Sequence, residues 1–305
     1  MQENKTFLTA EDLVKQANTD FTIYIKNGKY KEILLSMSNL NCYSLTNQIL
    51  IIAQMPKAKC VNGMKVWNYN HRNIKKGEKA IHIIAPIKET QKESVLDKNG
   101  TVIETKDMEN VGYKVSNVFD ISQTSGKEMY DLDFNKEDTL KNFDTVREAL
   151  ERLPRDYTVK FMPIEDIIDG YCDVTNKYLV IKEGMSFEKT IKALIYQVGH
   201  ALINSRTRNN FNGLTTKELR NIKRIENESL AFVVSHKLGL DSSLNYAKEL
   251  ENYDDENLFK FKKNLDIVRS VSYQMLSSIE PNLQSKLQEQ KKLNENTKKV
   301  EEELC

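Results

Sequence analysis

The stretch KALIYQVGHALIN, Lys192 to Asn204, limits what this 305-residue chain can fold into more than any other. Ile191, Leu194, Ile195, Val198, Ala201 and Leu202 recur at intervals of three and four, which marks a helix with one buried face. Ser186 stands before it as an N-cap, with Glu188 and Lys189 following. A second long helix is expected from about Thr216 to Leu238. YTVKFMP reads as a strand, and a strand pair ends in KYLVIKEG. Two long helices behind so few strands require a mainly helical domain with a small sheet.

The first half has a different grammar. Thr9 with Asp12 opens an amphipathic helix as a short capping box, and YSLTNQILIIAQM is a helix that stops before Pro56. From Lys57 onward Val66-Trp67 suggests a short strand, Lys76-Gly77-Glu78 a turn and AIHIIAPI a buried strand. Lys98-Asn99-Gly100 sits in a polar segment that reads as an extended hairpin or loop, and YKVSNVFDISQT returns as a strand. We therefore expect an α+β protein of two domains, 1–125 and 141–283. A polar linker at 126–140 and a charged helical or disordered tail at 284–305 complete the division. A helix is expected over TLKNFDTVREALERL, and several more between about Ser243 and Ile279.

Tyr196 and His200, four apart, share one face of the Lys192–Asn204 helix, as two zinc-binding histidines would. A zincin places His-Glu-x-x-His there, with a third ligand on a later helix. Here the first ligand position holds a phenol, and the base position holds Gln197, an amide with no useful basicity. Glu228, with Glu226 as the alternate, supplies a third-ligand position in RIENESLAFVVSHKLGL. His200 and one carboxylate are too few for a zinc site, so the expected cofactor is none and the expected activity is not enzymatic. The competing reading is a metal-dependent peptidase that recruits ligands such as His236 or Asp173 and binds zinc. A lone helical histidine otherwise reads as packing.

The basic residues are unevenly spread. Lys plus Arg is 45 and Asp plus Glu is 44 over the chain, yet Lys57 to Glu89 holds eight basic residues and two acidic ones, so that segment nets +6. Such a cluster can follow a phosphate backbone. Trp67, Tyr69 and His71 alternate and would share a face if the strand extends that far; flat rings beside lysines suit unpaired bases. Ser44, Asn47 and Gln48 at helical spacing add hydrogen-bonding groups. The candidate contact set is Ser44, Asn47, Gln48, Lys65, Trp67, Tyr69, Arg72, Lys75, Lys76 and Lys79. A lone Trp is otherwise a core residue, with Tyr69, Arg72 and the lysine turn left to make the contacts.

At these residues a family resemblance becomes specific. GMSFEKTIKALIYQVGHALI followed by KRIENESLAFVVSHKLGLDSS resembles the metallopeptidase-like domain of ArdC/LtrC-type proteins of conjugative plasmids and related mobile elements. Glu226, Glu228 and Ser229 keep that family's second segment; Tyr196 and Gln197 depart from its first. YSLTNQILIIAQMPKAKCVNGMKVWNYNHRNIKKGEKAIHIIAPI, with VFDISQT, resembles its single-stranded-DNA-binding domain. Together the two cover nearly all of residues 5 to 280. The resemblance implies a DNA-binding, antirestriction-like protein with single-stranded DNA as partner and a zincin shell that serves as scaffold. Through that shell a host defence or conjugation protein is a further possible partner.

Cys42, Cys60, Cys172 and Cys305 are scattered without a C-x-x-C pair, which suits reduced thiols in a cytoplasm. The N-terminus lacks the layout of a signal peptide, and the longest apolar run, ILIIAQM, is far short of the roughly 20 residues that span a bilayer. A cytoplasmic protein without a membrane partner is expected.

Overall fold

The computed structural model describes residues 8–96, 102–129, 134–206 and 214–303, with backbone alone at 88–96, 102–111 and 293–303. In chain order the elements begin with α1 (Ala10–Lys26), α2 (Tyr30–Asn39), α3 (Leu45–Gln54), β1 (Val61–Asn62), α4 (Met64–Tyr69) and β2 (Arg72–Ile74). They continue with β3 (Ile81–Leu96), β4 (Val102–Asp120), β5 (Thr124–Gly126), α5 (Lys136–Lys141), α6 (Phe143–Glu151), β6 (Thr158–Met162), β7 (Gly170–Asp173) and β8 (Tyr178–Lys182). Three long helices close the chain: α7 (Phe187–Asn204), α8 (Thr216–Lys237) and α9 (Asp255–Glu303). No helix among the described residues is long and apolar enough to cross a membrane.

The chain divides into two compact units, Met1–Phe21 with Thr46–Glu128, and Thr22–Leu45 with Met129–Cys305. A contiguous 1–125 domain was expected, but residues 22–45 group with the second unit. The reason is the apolar face of α2. Ile33, Leu34 and Met37 are buried, α2 packs on α8, and the Tyr30 hydroxyl shares a buried 2.6 Å hydrogen bond with Ser229.

In the first unit β3 and β4 form a long antiparallel pair, from Ile81 opposite Val118 to Leu96 opposite Val102, and β1 adds to the other side of β4. The Lys98-Asn99-Gly100 turn lies outside the described residues. β3 is an edge strand, and α3 covers its free polar groups. Asn47 exchanges two hydrogen bonds with the Ile84 backbone (2.8 and 2.9 Å), and Gln54, seven residues on, does the same with His82 (both 2.9 Å). Two side-chain amides thus stand in for a neighbouring strand.

Thr9 and Asp12 cap α1 reciprocally, and both the Thr9 N–H and hydroxyl hold the Asp12 carboxyl below its usual range. The expected strand at Val66-Trp67 is instead the short helix α4. Gly63 precedes it in extended conformation, and His71 ends it in the left-handed region at φ 57°. Trp67 is driven inward by that helix: it is 0% exposed, and its indole N–H donates to the Phe119 carbonyl at 2.9 Å.

In the second unit β8 is the central strand, parallel to β6 and antiparallel to β7, and its Leu179, Val180 and Ile181 are buried. α7 covers this sheet and packs on α8. The approach of those two helices depends on Gly199, where an added Cβ would sit 2.3 Å from Leu230 Cδ2. The helix expected over residues 139–153 breaks at Asn142, whose side-chain amide turns back to the Asp138 carbonyl. The several helices expected from Ser243 resolve into a six-residue 3-10 turn and one 49-residue helix, α9. Its buried residues Leu258, Phe261, Leu265, Val268, Ser272, Met275, Ile279 and Leu283 keep three- and four-residue spacing without interruption, so one helix buries them all.

Candidate functional site

The basic segment of the first unit is built on α4, β2 and the turn that follows. Lys57, Lys59, Lys65, Lys75, Lys76 and Lys79 are all exposed. Tyr69, at the end of α4, is the most open aromatic ring there, 85% exposed. The Lys75–Lys79 turn is rigidly held. Gln123 donates to the Lys79 carbonyl (2.8 Å) and Glu78 (3.1 Å), its backbone carbonyl accepts from the Lys75 N–H (2.9 Å), and Gly77 supplies φ 90°. Behind it Asp120, 1% exposed, accepts from the backbone N–H groups of Lys59, Cys60 and Ser122 and from the Ser122 hydroxyl. Gln123, buried, therefore shapes the basic turn directly, and Asp120, whose N–H donates to the Gln123 side-chain oxygen at 2.9 Å, orients it. Nothing in their sequence context set them apart from ordinary strand-end residues, although the Asp-x-x-Gln spacing of a capping box was there to be found.

The ten candidate contact residues separate into four groups. Lys65, Tyr69, Lys75, Lys76 and Lys79 are presented to solvent, with Lys75 Nζ also donating to the Ser122 carbonyl at 2.8 Å. Arg72 is half-buried and its guanidinium is committed to Thr124 and the Lys127 carbonyl, which fastens β2 to β5. Trp67, Asn47 and Gln48 are buried: Trp67 fills the core, Asn47 serves the β3 edge and Gln48 is 0% exposed. The alternating face of Trp67, Tyr69 and His71 does not form, because a helix replaces the strand. Ser44 is exposed just before α3 and belongs to the second unit.

In the second unit, Tyr196, Gln197 and His200 line a cleft of about 350 Å³ together with Tyr171, Cys172, Arg220, Lys223, Arg224 and Asn227. The spacing of Tyr196 and His200 on α7 brings both to the same opening, as their separation of four requires. Their chemistry does not suit a metal. Burial first, and then the Glu228 carboxylate, raise the Tyr196 phenol above its usual value, so it stays protonated. Gln197 is 8% exposed and its amide donates to the Gly170 carbonyl at 2.9 Å, a bond that a carboxylate base could not make. His200 Nε2 lies 2.9 Å from the Asn204 amide, one turn along the same helix.

The two candidate carboxylates are engaged elsewhere. Glu228 accepts from the Asn245 and Tyr246 backbone N–H groups (2.9 and 3.1 Å) and from the Asn245 amide, and buried Glu226 accepts from Asn264 on α9 at 3.0 Å. Asp173 accepts from the Thr175 and Asn176 N–H groups, which close the β7–β8 turn, and exposed His236 stacks on Phe232. No group of three His, Cys, Asp or Glu side chains able to hold a metal is found among the described residues. The residues present therefore do not fit zinc. Cys172 offers no thiolate either, since burial pushes its thiol up.

Residues 14–119 match the family described as the N-terminal domain of anti-restriction factor ArdC. No curated protein sequence matches. Among solved structures, the metal-free antirestriction ArdC protein from R388 plasmid is similar at a TM-score of 0.52 and 12% identity, covering 90% of this chain and 98% of that one. The Mn(II)-bound structure of the same protein gives 0.52 and 13%, covering 89% and 98%. Residues 14–119 thus match an ArdC N-terminal domain, and the chain shares the fold of the R388 plasmid ArdC protein over 90% of its length.

Proposed function

We propose that the chain is a single-stranded-DNA-binding antirestriction protein of a mobile element, in which the first unit engages DNA and the second is a non-catalytic module. One observation carries the reading: five of the ten expected contact residues, Lys65, Tyr69, Lys75, Lys76 and Lys79, are exposed on one α4–β2–turn segment whose turn is held from behind by Gln123. Cations track phosphates, and an open tyrosine ring can stack on a base only where the base is unpaired. In this reading the protein coats or escorts entering DNA inside the cell. A host defence or conjugation protein is the partner class left for the second unit.

The test is a fluorescence-anisotropy titration of labelled single-stranded DNA, with duplex as control, at several salt concentrations. Lys75→Ala/Lys76→Ala should weaken binding and lower the salt slope by about 1.4, since each single-strand phosphate contact contributes about 0.7. Tyr69→Ala should weaken binding with little change in that slope. Equal affinity for duplex, or no binding at low salt, sinks the proposal.

A second reading keeps metal-dependent peptidase activity, on the observation that a similar structure holds Mn(II). It requires ligands beyond His200, and Glu226, Glu228 and Asp173 would first have to release the partners they now hold. Stoichiometric metal in the purified chain, measured by elemental analysis, would favour it.

A further inference from the structure

Among the described residues, no acid lines the cleft on α7. In its place α8 presents Arg220, Lys223 and Arg224, an i, i+3, i+4 set on one helical face, and all three are exposed. Arg224 is held in place without being neutralised: its guanidinium lies 5.1 Å from the Tyr246 ring centroid and donates to that hydroxyl at 3.5 Å. Nearby Glu228 is turned toward the backbone N–H groups of Asn245 and Tyr246. The floor is polar and fixed, made by Gln197 and Asn227, each at least nine-tenths buried. β7 contributes Tyr171 to the same cleft, a residue 45% exposed.

We infer that this cleft is a binding site for a nucleoside phosphate, either free or as the terminal nucleotide of a strand. Three cations of one sign around a polar cleft attract an anion and repel a metal ion. Arginine forks match phosphate oxygens in pairs, and an open tyrosine ring offers a stacking surface for a flat heterocycle. An acidic peptide would satisfy the cations but leave the ring and the amide floor unused. The volume of about 350 Å³ falls at the small end of ligand pockets, where a single nucleotide fits and a folded partner does not. Every residue of the site lies in the second unit, so the inference does not rest on DNA binding by the first.

The test uses the full chain. Isothermal titration with dAMP and dTMP measures the free source, and anisotropy with short oligonucleotides carrying a 5′-phosphate or a 5′-hydroxyl measures the strand-end source. Arg220→Ala/Lys223→Ala removes two exposed cations, and an unchanged thermal melt establishes that it folds. Tyr171→Leu is the second variant and removes the stacking ring while keeping the charge. The expected result is mononucleotide affinity at least about tenfold weaker in the double variant, weaker also in Tyr171→Leu, and unchanged in Lys75→Ala/Lys76→Ala. A preference for the 5′-phosphate that is lost in the double variant, without mononucleotide binding, assigns the strand end instead. If the native chain shows neither, or if both cleft variants bind as it does, the inference is overturned.

Discussion

Gln197 tests the claim that the α7 cleft is built against metal chemistry rather than merely lacking one ligand. Gln197→Glu introduces a carboxylate of the kind a zincin uses as base, with no change in length. In this structure the replaced group is 8% exposed and donates to the Gly170 carbonyl at 2.9 Å. That carbonyl belongs to a tightly packed stretch of β7, where a Cβ on Gly170 would sit 2.5 Å from the Val180 carbonyl oxygen. An ionised carboxylate has no proton to give Gly170, so the carbonyl is orphaned at a cost of about 1–3 kcal/mol.

The introduced carboxyl is also desolvated, which raises its folded pKa above the unfolded value of about 4.3; each unit of rise costs about 1.4 kcal/mol of stability once the pH exceeds the folded pKa. Protonated, it can donate to Gly170 and most of the loss disappears. The sign follows: an acid whose pKa is raised by folding leaves stability untouched below the unfolded pKa and removes it as pH rises toward the folded one. Urea unfolding followed by far-UV circular dichroism should therefore show a gap between parent and variant of about 2–4 kcal/mol at pH 7.5 that narrows at pH 5. Zinc should leave the variant's midpoint where it is, because Glu228 and Glu226 remain engaged. A variant as stable as the parent at pH 7.5, or one that zinc stabilises, would refute this account of the cleft.

Gly199→Ala offers a second test of the same helix. Alanine gains about 1 kcal/mol of helix propensity, but the new Cβ meets buried Leu230 at 2.3 Å, and overpacking costs about 1–3 kcal/mol, so the urea midpoint should fall. Trp67→Phe removes the indole N–H from the Phe119 carbonyl and opens space in a fully buried site; a loss of about 2–4 kcal/mol is expected, read by circular dichroism because the chain has a single Trp. DNA affinity per folded molecule should be little changed, and a large loss of affinity without a loss of stability would return Trp67 to the contact set. Lys262 has its pKa pushed down to about 8 by burial. Since folding disfavours its charged form, stability is reduced below pH 8 and recovers as pH rises toward the unfolded value near 10.5. Lys262→Met should accordingly stabilise at pH 7 and lose that advantage by about pH 10; a stabilisation independent of pH would assign the gain to packing alone.

The second unit was the more legible half, because helices announce themselves locally. Ser186 caps α7 by accepting from the Lys189 N–H, and the apolar spacing of Ile191, Leu194, Ile195 and Val198 needs no distant partner to be read. The same locality exposed Tyr196 and His200 as neighbours. What eluded it were bonds between segments far apart in sequence. Asn47 looks like a DNA contact on a helical face, yet its amide serves Ile84, 37 residues away; Arg72 looks like a phosphate ligand and holds Thr124, 52 residues away. Val66-Trp67 carries strand propensity in a stretch too short for propensity to decide, and burial of the indole beneath β4 settles it as helix.

The cleft teaches the converse. Compared with a metallopeptidase, Tyr196 and Gln197 register only as departures; Arg220 falls between the two matched segments, and Lys223 and Arg224 open the second one ahead of the glutamates that carry its motif. Once α8 is laid against α7, the three cations line the same cleft as the Tyr196 phenol and the Gln197 amide. A metal centre needs its positive charge from the ion and its negative charge from the protein; here the protein carries the positive charge itself. Two substitutions on α7 that introduce metal ligands would therefore still leave Arg220, Lys223 and Arg224 opposing a metal cation at this cleft.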